Sequence, residues 1–330
     1  MNEIGKENEI NNDLYWFKDA FMDEVDSWFS SDIACCDKCH DDFINLWPLA
    51  YNADEAEFQR SSIDLDCFYS GSRINQIYSK DKYDQYIETL YCPRCYNNFD
   101  ITSIIWPYNL PFDVVDDFEF KVEEISLIAA KTPFLLLEND FAKSVLNAII
   151  DLSKYCVKTR INQHLYRARS KSSLSSDKYS EFDFPPNKFV TEGRYNHNGC
   201  STLYLGSDVE TCYHEIREQA CKLAEVDIFT ELKLLDLTNA YDSHQSHHDL
   251  LNTLVYSTLI SAMQNNEGWH KPEYVFSRFL SDCARYAGFD AIKYPSTRGG
   301  NQNFNIAILN NDLTLAKNAN ILRVIEYPIA

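Results

Sequence analysis

The segment GRYNHNGCSTLYLGSDVETCYHEI, from Gly193 to Ile216, places three polar side chains on three kinds of local structure. Arg194 lies in a stretch of small and polar residues that predicts a turn, and Tyr204 lies in the short apolar run STLYLG, which predicts a strand. Glu215 lies in SDVETCYHEI, where a serine or aspartate cap precedes a helical pattern. A turn, a strand and a helix that each offer one polar group predict a shared pocket.

Strands and helices alternate on both sides of this segment, from about Thr159 onward. Short apolar runs predict strands, and longer amphipathic runs predict helices. The predicted strands are His164–Arg169, Ser201–Gly206, Ile228–Thr238, a run that ends at Tyr294, and Phe304–Asn310. The predicted helices are Ser207–Ala224, Asp249–Gln264 and Tyr274–Gly288.

The first part of the chain is predicted to be mostly helical. A helix that begins at Asn12 or Asp13 and ends near Phe29 has one apolar face at helical spacing, formed by Leu14, Phe17, Phe21, Val25 and Trp28. Two more helices are predicted near residues 117–130 and 138–159. We therefore predict an α+β protein with two domains, a mostly helical one over residues 1–155 and a mixed α/β one over residues 156–330.

The chain is strongly acidic. Its 330 residues carry 50 acidic and 30 basic side chains, which gives a formal net charge of −20. Binding to a nucleic-acid backbone needs a basic face, so general nucleic-acid binding is not expected, whereas a small anion needs only a few well-placed arginines. No signal peptide and no apolar run of membrane-spanning length is visible, so we expect a cytoplasmic protein without a membrane segment.

Two CxxC pairs supply the candidate metal ligands, which are Cys36, Cys39, Cys92 and Cys95. In a reducing compartment such cysteines are more often thiols or metal ligands than disulfides. Four thiolates form the tetrahedral set that structural zinc prefers, and they leave no coordination position open for a substrate. Cys35 and His40 are alternative ligands. Buried thiols without metal, or redox use of one pair, are the competing interpretations.

Several common enzyme signatures are absent from the sequence. No two glycines are separated by one residue, so G-x-G-x-x-G cannot occur, and neither a P-loop nor G-x-S-x-G is present. His214 and Glu215 begin a pattern like the zincin helix, but Glu218 stands where the second histidine would be, which disfavours a metalloprotease.

The polar residues of the 193–216 segment combine with LYRAR to suggest a nucleotide site. LYRAR puts Arg167 and Arg169 on one face of a strand, and arginine is suited to gripping a pyrophosphate. Tyrosine offers a flat face and a hydroxyl, and a carboxylate such as Glu215 can stabilise a cation that develops at a sugar carbon. Each residue alone also fits an ordinary structural position, so the prediction of glycosidic-bond cleavage rests on their occurrence together.

The C-terminal half resembles the RES domain, a family named for its arginine, glutamate and serine. The segments LYRAR, GRYNHNG, STLYLGSDVETCYHEI, GFDAIKYPS and NIAIL occur in the family's order over about residues 160–325. The resemblance implies a fold similar to ADP-ribosyltransferases and an enzyme that degrades NAD+ as a hydrolase or phosphorylase, with NAD+ as substrate. It also implies a toxin with an antitoxin partner, and the CxxC-bearing half is similar to extensions that precede some RES domains.

The resemblance implies a catalytic role for three residues. Glu215 would be the catalytic carboxylate, and Arg167 would bind the phosphates or a ribose of NAD+. Tyr204 would pack against the nicotinamide ring or its ribose.

Three further residues would bind or support the substrate. Arg194 would be a second clamp, Ser296 would lie near the nicotinamide amide, and Asn305 would support the pocket. Asn301 or Asn303 could hold this place instead of Asn305.

Three functions remain open from the sequence. The first is an NAD+ glycohydrolase or phosphorylase, a toxin or defence effector whose N-terminal half senses a trigger or binds an antitoxin. The second is a protein ADP-ribosyltransferase, and the third is a non-catalytic zinc-bearing interaction module. We favour the first because five segments fit one pocket.

Overall fold

A computed structural model describes residues 3–49, 62–174, 176, 178–239, 244–262, 274–296 and 303–328. The chain divides into two compact units, Met1–Pro111 and Phe112–Ala330. The division lies earlier than the predicted domain boundary at 155/156. None of the helices in the described ranges is both long and apolar enough to cross a membrane.

The first unit is mainly helical, as predicted, but it also contains a small sheet. Its elements are α1 (Glu3–Phe29), β1 (Ile33–Cys36), α2 (His40–Leu46), β2 (Ile63–Asp64), α3 (Leu65–Gly71), α4 (Ile74–Ile77), α5 (Lys80–Ile87) and β3 (Ile104–Pro107). The strands form an antiparallel sheet in the order β1-β3-β2. The apolar face predicted for α1 lies in the core, where Phe17, Phe21 and Val25 are fully buried.

The second unit begins with two helices and continues with mixed α/β structure. Its elements are α6 (Phe118–Lys131), α7 (Asp140–Tyr155), β4 (Leu165–Ser170), β5 (Leu203–Gly206), α8 (Val209–Glu215), β6 (Cys221–Ile228), β7 (Leu234–Asp236), α9 (His248–Tyr256), α10 (Thr258–Ser261), α11 (Val275–Tyr286), β8 (Ala291–Pro295), β9 (Phe304–Ile308), α12 (Leu315–Asn318) and β10 (Ala319–Tyr327).

The helices α6 and α7, predicted as part of the N-terminal domain, belong to this second unit. The apolar stripe of α7 packs against α11, far away in sequence. The Ser153 hydroxyl of α7 also donates to the carbonyl of Ala287, just after α11, at 2.6 Å.

A seven-stranded sheet forms the centre of the second unit, in the order β10-β6-β4-β5-β9-β8-β7. Neighbouring strands are antiparallel except β7 and β8, which are parallel. Apolar side chains of the central strands build the core, among them Leu165, Leu203, Val226 and Ile306. The strands β4, β5 and β9, which carry candidate site residues, therefore lie side by side in the middle of the sheet.

The helix predicted over residues 207–224 is wrong in its length. It ends at Glu215, and residues Cys221–Ile228 form strand β6 instead. Arg217 and Glu218 both have φ of 58°, a left-handed conformation that stops the helix. The alternating burial of β6 fits a strand paired on both sides, with β4 and β10. Strand β10 was not predicted.

Asp208 caps α8, as the sequence predicted for Ser207 or Asp208. Its Oδ1 accepts the backbone N–H of Thr211 at 2.8 Å, and its Oδ2 accepts the Thr211 hydroxyl at 2.6 Å. Burial alone would raise the pKa of this carboxyl, but the hydrogen bonds from Thr211 and Ser207 lower it below its usual value.

Replacing Asp208 by alanine is expected to lower the free energy of unfolding by about 1 kcal/mol at pH 7, because the Thr211 amide loses its acceptor. Asp208→Asn keeps an acceptor oxygen and serves as the control. Because the folded-state pKa is lowered, the stabilisation by the charged form is present above pH of about 4 and is lost as the pH falls through the folded-state pKa. Urea unfolding followed by circular dichroism measures both effects. Equal stability of Asp208→Ala and wild type at pH 7 would contradict the capping role.

Candidate active site

Five of the six predicted substrate-site residues line one open cleft of about 310 Å³ in the second unit. They are Arg167, Arg194, Tyr204, Glu215 and Asn305. The sixth, Ser296, is buried but is not among the side chains that line the cleft. The positions come from a turn, three neighbouring strands and the end of one short helix.

Arg167 lines the cleft, and its guanidinium is buried. Strand β4 alternates between its two faces, and Arg167 is only 7% exposed. Nη1 donates to the Tyr204 carbonyl at 3.0 Å and Nη2 to the Asp183 carbonyl at 3.4 Å, while Nε is buried without a hydrogen-bond partner. Burial and the neighbouring charge of Arg169 lower the pKa of Arg167 to about 10. Within the described ranges no carboxylate forms an ion pair with this guanidinium, so its charge is compensated only by the dipoles of the two carbonyls.

The hydroxyl of Tyr204 fixes the turn that precedes its strand. It accepts the backbone N–H of Tyr195 at 3.0 Å and donates to Asn196 Oδ1 at 2.9 Å. A Cβ at Gly193 would lie 2.4 Å from Asn196 Oδ1 and 3.0 Å from the Tyr204 hydroxyl, so this position needs glycine. Burial raises the pKa of Tyr204, which keeps the phenol protonated. The hydroxyl thus organises the turn, and the side chain also lines the cleft.

Glu215 is the last residue of α8 and is held by the neighbouring strand. Asn305 of β9 donates from Nδ2 to Glu215 Oε1 at 3.0 Å, and no described residue donates to Oε2. Gly206 pairs with Asn305 in the sheet, and a Cβ there would lie 2.6 Å from Cys212 Sγ and 3.3 Å from Asn305 Oδ1. The missing side chain at Gly206 therefore lets α8 approach β9 closely enough for this hydrogen bond.

Arg194 is held at the cleft by backbone carbonyls and an aromatic ring. Nη1 donates to the carbonyl of Ile260, Nη2 donates to that of Ala262 at 3.0 Å, and the guanidinium carbon lies 4.6 Å from the centre of the Tyr274 ring. In the described part of the chain it too forms no ion pair with a carboxylate. The cleft therefore combines two arginine cations with one glutamate.

Two tyrosines of the cleft were not predicted. Tyr274 faces Arg194, and Tyr294 is buried with its ring centre 4.6 Å from that of Tyr195. Burial and the charge of Glu215 raise the pKa of Tyr294 well above its usual value. Tyr294 lies two residues before Ser296, at the end of a predicted strand. This position in the sequence could have indicated that Tyr294 lines the cleft.

The segment after β8 contains the alternatives to Asn305, which are Asn301 and Asn303. Ser296 donates its backbone N–H to the carbonyl of Asn303 at 2.9 Å, and Asn303 does not line the cleft. Asn301 lies outside the described residues. Asn305 is the asparagine in the described part of the chain that reaches Glu215.

The four predicted cysteine ligands converge in the first unit. The sulfur atoms of Cys36, Cys39, Cys92 and Cys95 all lie within 4.8 Å of one another. The separations Cys36–Cys39, Cys36–Cys95 and Cys39–Cys92 are 3.9, 3.7 and 3.7 Å. Tetrahedral zinc with bonds of about 2.3 Å places its sulfurs about 3.8 Å apart, so the arrangement fits this ion.

The surroundings of the cluster favour a thiolate at Cys95, whereas burial raises the pKa of Cys36 and Cys92. Burial raises the pKa of the Cys95 thiol, but the hydrogen bonds from the backbone and side-chain amides of Asn97 outweigh burial and lower it to about 7. Of the alternative ligands, Cys35 is buried outside the cluster, and its pKa is raised to about 12 by burial and the neighbouring thiols. The His40 ring stacks on Trp106 with ring centres 4.1 Å apart, and it is not part of the cluster.

The sequence profile of the RES domain matches residues 164–329. No curated protein matches the chain. Among solved structures, the chain is similar to one described as the crystal structure of the M. tuberculosis MbcT-MbcA toxin-antitoxin complex. The identity is 14%, the similarity covers 54% of this chain and 91% of that chain, and the TM-score is 0.35.

Replacing Tyr204 by phenylalanine is expected to lower the free energy of unfolding by about 1–3 kcal/mol, because the buried Tyr195 N–H and Asn196 Oδ1 lose their partner. The matched control is Tyr179→Phe, since the Tyr179 ring is 55% exposed. Urea unfolding of both variants beside wild type gives the comparison. A loss at Tyr204 no larger than at Tyr179 would show that the hydroxyl does not organise the turn.

Proposed function

Because the chain belongs to the RES domain family, we propose that it is an enzyme that consumes NAD+ by cleaving the bond between nicotinamide and ribose. The reaction would be that of an NAD+ glycohydrolase or phosphorylase, in a toxin or defence effector. The cleft supports the proposal through its residue types, since it combines two arginines, aromatic side chains and a carboxylate.

One observation carries the proposal, the buried charge of Arg167. A buried guanidinium without a carboxylate partner costs free energy of folding unless an anion joins it. Arg167 has backbone carbonyls as its hydrogen-bond partners and one buried N–H left over. A phosphate oxygen is a strong acceptor for arginine. The pyrophosphate of NAD+ is linked to the reactive nicotinamide ribose, so one cleft can bind both groups. We propose that Arg167 binds the phosphates or a ribose of NAD+, with Arg194 as a second clamp.

Glu215 would stabilise the charge that develops during the reaction. As the bond between the ribose C1′ and the nicotinamide nitrogen breaks, its electron pair neutralises the pyridinium ring, and positive charge grows on the ribose. A carboxylate held in place beside that carbon stabilises the oxocarbenium-like transition state. The hydrogen bond from Asn305 orients one oxygen of Glu215, and the other oxygen is left for the sugar.

The remaining cleft residues would shape the nicotinamide end. Tyr204 and Tyr294 offer apolar ring surface next to Glu215, which suits a flat leaving group. Ser296 follows Tyr294 closely in sequence, and its contact with the nicotinamide amide remains a prediction. A cleft of about 310 Å³ is at the small end for ligand sites, which run from about 300 to 1,000 Å³, so we propose that it holds the nicotinamide half of the dinucleotide.

The acceptor of the ribose distinguishes the possible reactions. Attack by water gives ADP-ribose, with one proton of the water released to solvent. Attack by inorganic phosphate gives the 1-phosphorylated sugar. Attack by a side chain of another protein gives ADP-ribosylation.

Replacing Glu215 by glutamine is expected to slow NAD+ loss by at least about a hundredfold, because the transition state loses its counter-charge. The control is Glu210→Gln, which removes an exposed charge from the same helix. Chromatography of NAD+ and its products, with and without phosphate, measures the rate and identifies the acceptor. Wild-type rates of NAD+ loss in Glu215→Gln would exclude Glu215 as the catalytic carboxylate. If NAD+ labelled in its ADP-ribose part is used, label found on protein would favour ADP-ribosylation.

We propose that the cysteine cluster holds a structural zinc ion. The support is the fit of the sulfur separations and the absence of an open ligand position in a set of four thiolates. When bound, the ion joins β1, the start of α2 and the 92–95 turn, and thus stabilises the first unit. We further propose that this unit senses a trigger or binds a partner such as an antitoxin.

Removing one ligand tests the zinc site. Wild type is expected to contain one zinc ion per chain by elemental analysis, and Cys92→Ser is expected to lose it together with the cooperative unfolding of the first unit, since structural zinc contributes on the order of 10 kcal/mol. Cys67→Ser removes an exposed thiol of the same unit and is the control. Zinc content unchanged in Cys92→Ser would contradict the assignment.

A further inference from the structure

One face of α11 holds the turn that carries Arg194. Ser277 and Ser281 are four residues apart in the helix, which puts them on the same side. Both are buried, and their hydroxyls donate to the carbonyls of Arg194 and Tyr195 at 2.7 and 2.8 Å. A buried helical serine commonly bonds to a carbonyl of its own helix. Ser277 does so only at 3.1 Å, to Tyr274, and its shorter hydrogen bond goes to the turn.

Charged side chains of the same helix hold the two ends of the turn. Arg278 lies 3.5 Å from Glu192, which precedes the turn, and Arg278 is 4% exposed. Asp282 lies 2.7 Å from His197 Nε2, which follows the turn. The helix therefore contacts the turn at four points over residues 192–197.

This turn determines where two cleft residues lie. Arg194 lines the cleft, and the Tyr195 N–H donates to the hydroxyl of Tyr204. If the carbonyls of Arg194 and Tyr195 were not held, both side chains would sample other positions. Binding groups must be held within fractions of an ångström to grip a ligand well.

We infer that Ser277 and Ser281 are positioning residues, which act on the substrate through the 192–197 turn by fixing Arg194 and Tyr204. The kinetic consequence of this inference rests on the proposed NAD+-cleaving function. The hydrogen bonds that fix the turn do not depend on that function. In its proposed role as a second clamp on the phosphates, Arg194 would hold a part of the substrate that does not react. Its displacement weakens binding of the ground state and of the transition state equally, which raises KM with little change in kcat.

The test compares Ser277→Ala/Ser281→Ala with wild type in the full-length protein. The KM for NAD+ is expected to rise about tenfold, the effect of weakening one hydrogen bond from the displaced Arg194 cation, with kcat changed by less than about threefold. Amide hydrogen exchange by mass spectrometry is expected to be at least about tenfold faster in residues 192–197 than in wild type. The single variants should each show part of both effects.

Ser153→Ala is the matched control. The Ser153 hydroxyl donates to the carbonyl of Ala287 at the opposite end of α11, so this variant loosens the helix without touching the turn. It should leave KM and the exchange of residues 192–197 unchanged.

Two outcomes would overturn the inference. One is unchanged exchange in residues 192–197 of the double variant. The other is a loss of kcat at constant KM that parallels a loss of thermal stability, which would assign the serines a purely structural role. Wild type that leaves NAD+ intact would instead count against the proposed function, and the exchange measurement would still decide whether α11 holds the turn.

Discussion

The buried guanidinium of Arg167 is the constraint on which the candidate site depends. A cation in the middle of a seven-stranded sheet, with carbonyl oxygens instead of a carboxylate for partners, is costly to bury. Its partners, the carbonyls of Tyr204 and Asp183, must therefore stay in place. Asp183 is itself fixed, because its side chain accepts the backbone N–H groups of Leu315 and Ala316 at 3.1 and 3.3 Å. One charge thus ties β4 to β5, to the loop that precedes residue 193 and to α12.

The cleft is a local exception in an acidic chain. The formal net charge is −20, yet in the described residues the two cleft arginines have no carboxylate partner. Pairing each with an aspartate would stabilise the fold and remove the attraction for an anion. A site that keeps unpaired cations gives up stability for binding, which is typical of functional positions. Glu215 likewise has no partner of opposite charge among the described residues. Asn305 holds its carboxylate with a neutral donor, which leaves the negative charge in place.

The sequence predicted the parts of the structure that local chemistry determines. The apolar face of α1, the cap at Asp208 and the two CxxC pairs follow from spacing and side-chain type, and the candidate residues of the five segments follow from the resemblance to the RES domain. The length of α8 could not be predicted, because Cys221–Ile228 is a strand only when β4 and β10 lie on either side of it. The same holds for α7 in the second unit, since its place depends on contacts with residues far away in sequence. The Tyr204 hydroxyl hydrogen-bonds to the turn because Gly193 and Asn196 pair there, and sequence spacing does not reveal this pairing.

We propose that the buried charge of Arg167 binds an anionic substrate. Calorimetric titration of NAD+ into Glu215→Gln protein measures binding, because this variant is expected to turn NAD+ over only slowly. The same titration into the double variant Glu215→Gln/Arg167→Met shows what Arg167 contributes to the affinity. We expect saturable binding to Glu215→Gln that weakens by about 10- to 100-fold with Arg167→Met, the effect of a lost charged hydrogen bond. Equal affinity in the two proteins would contradict it.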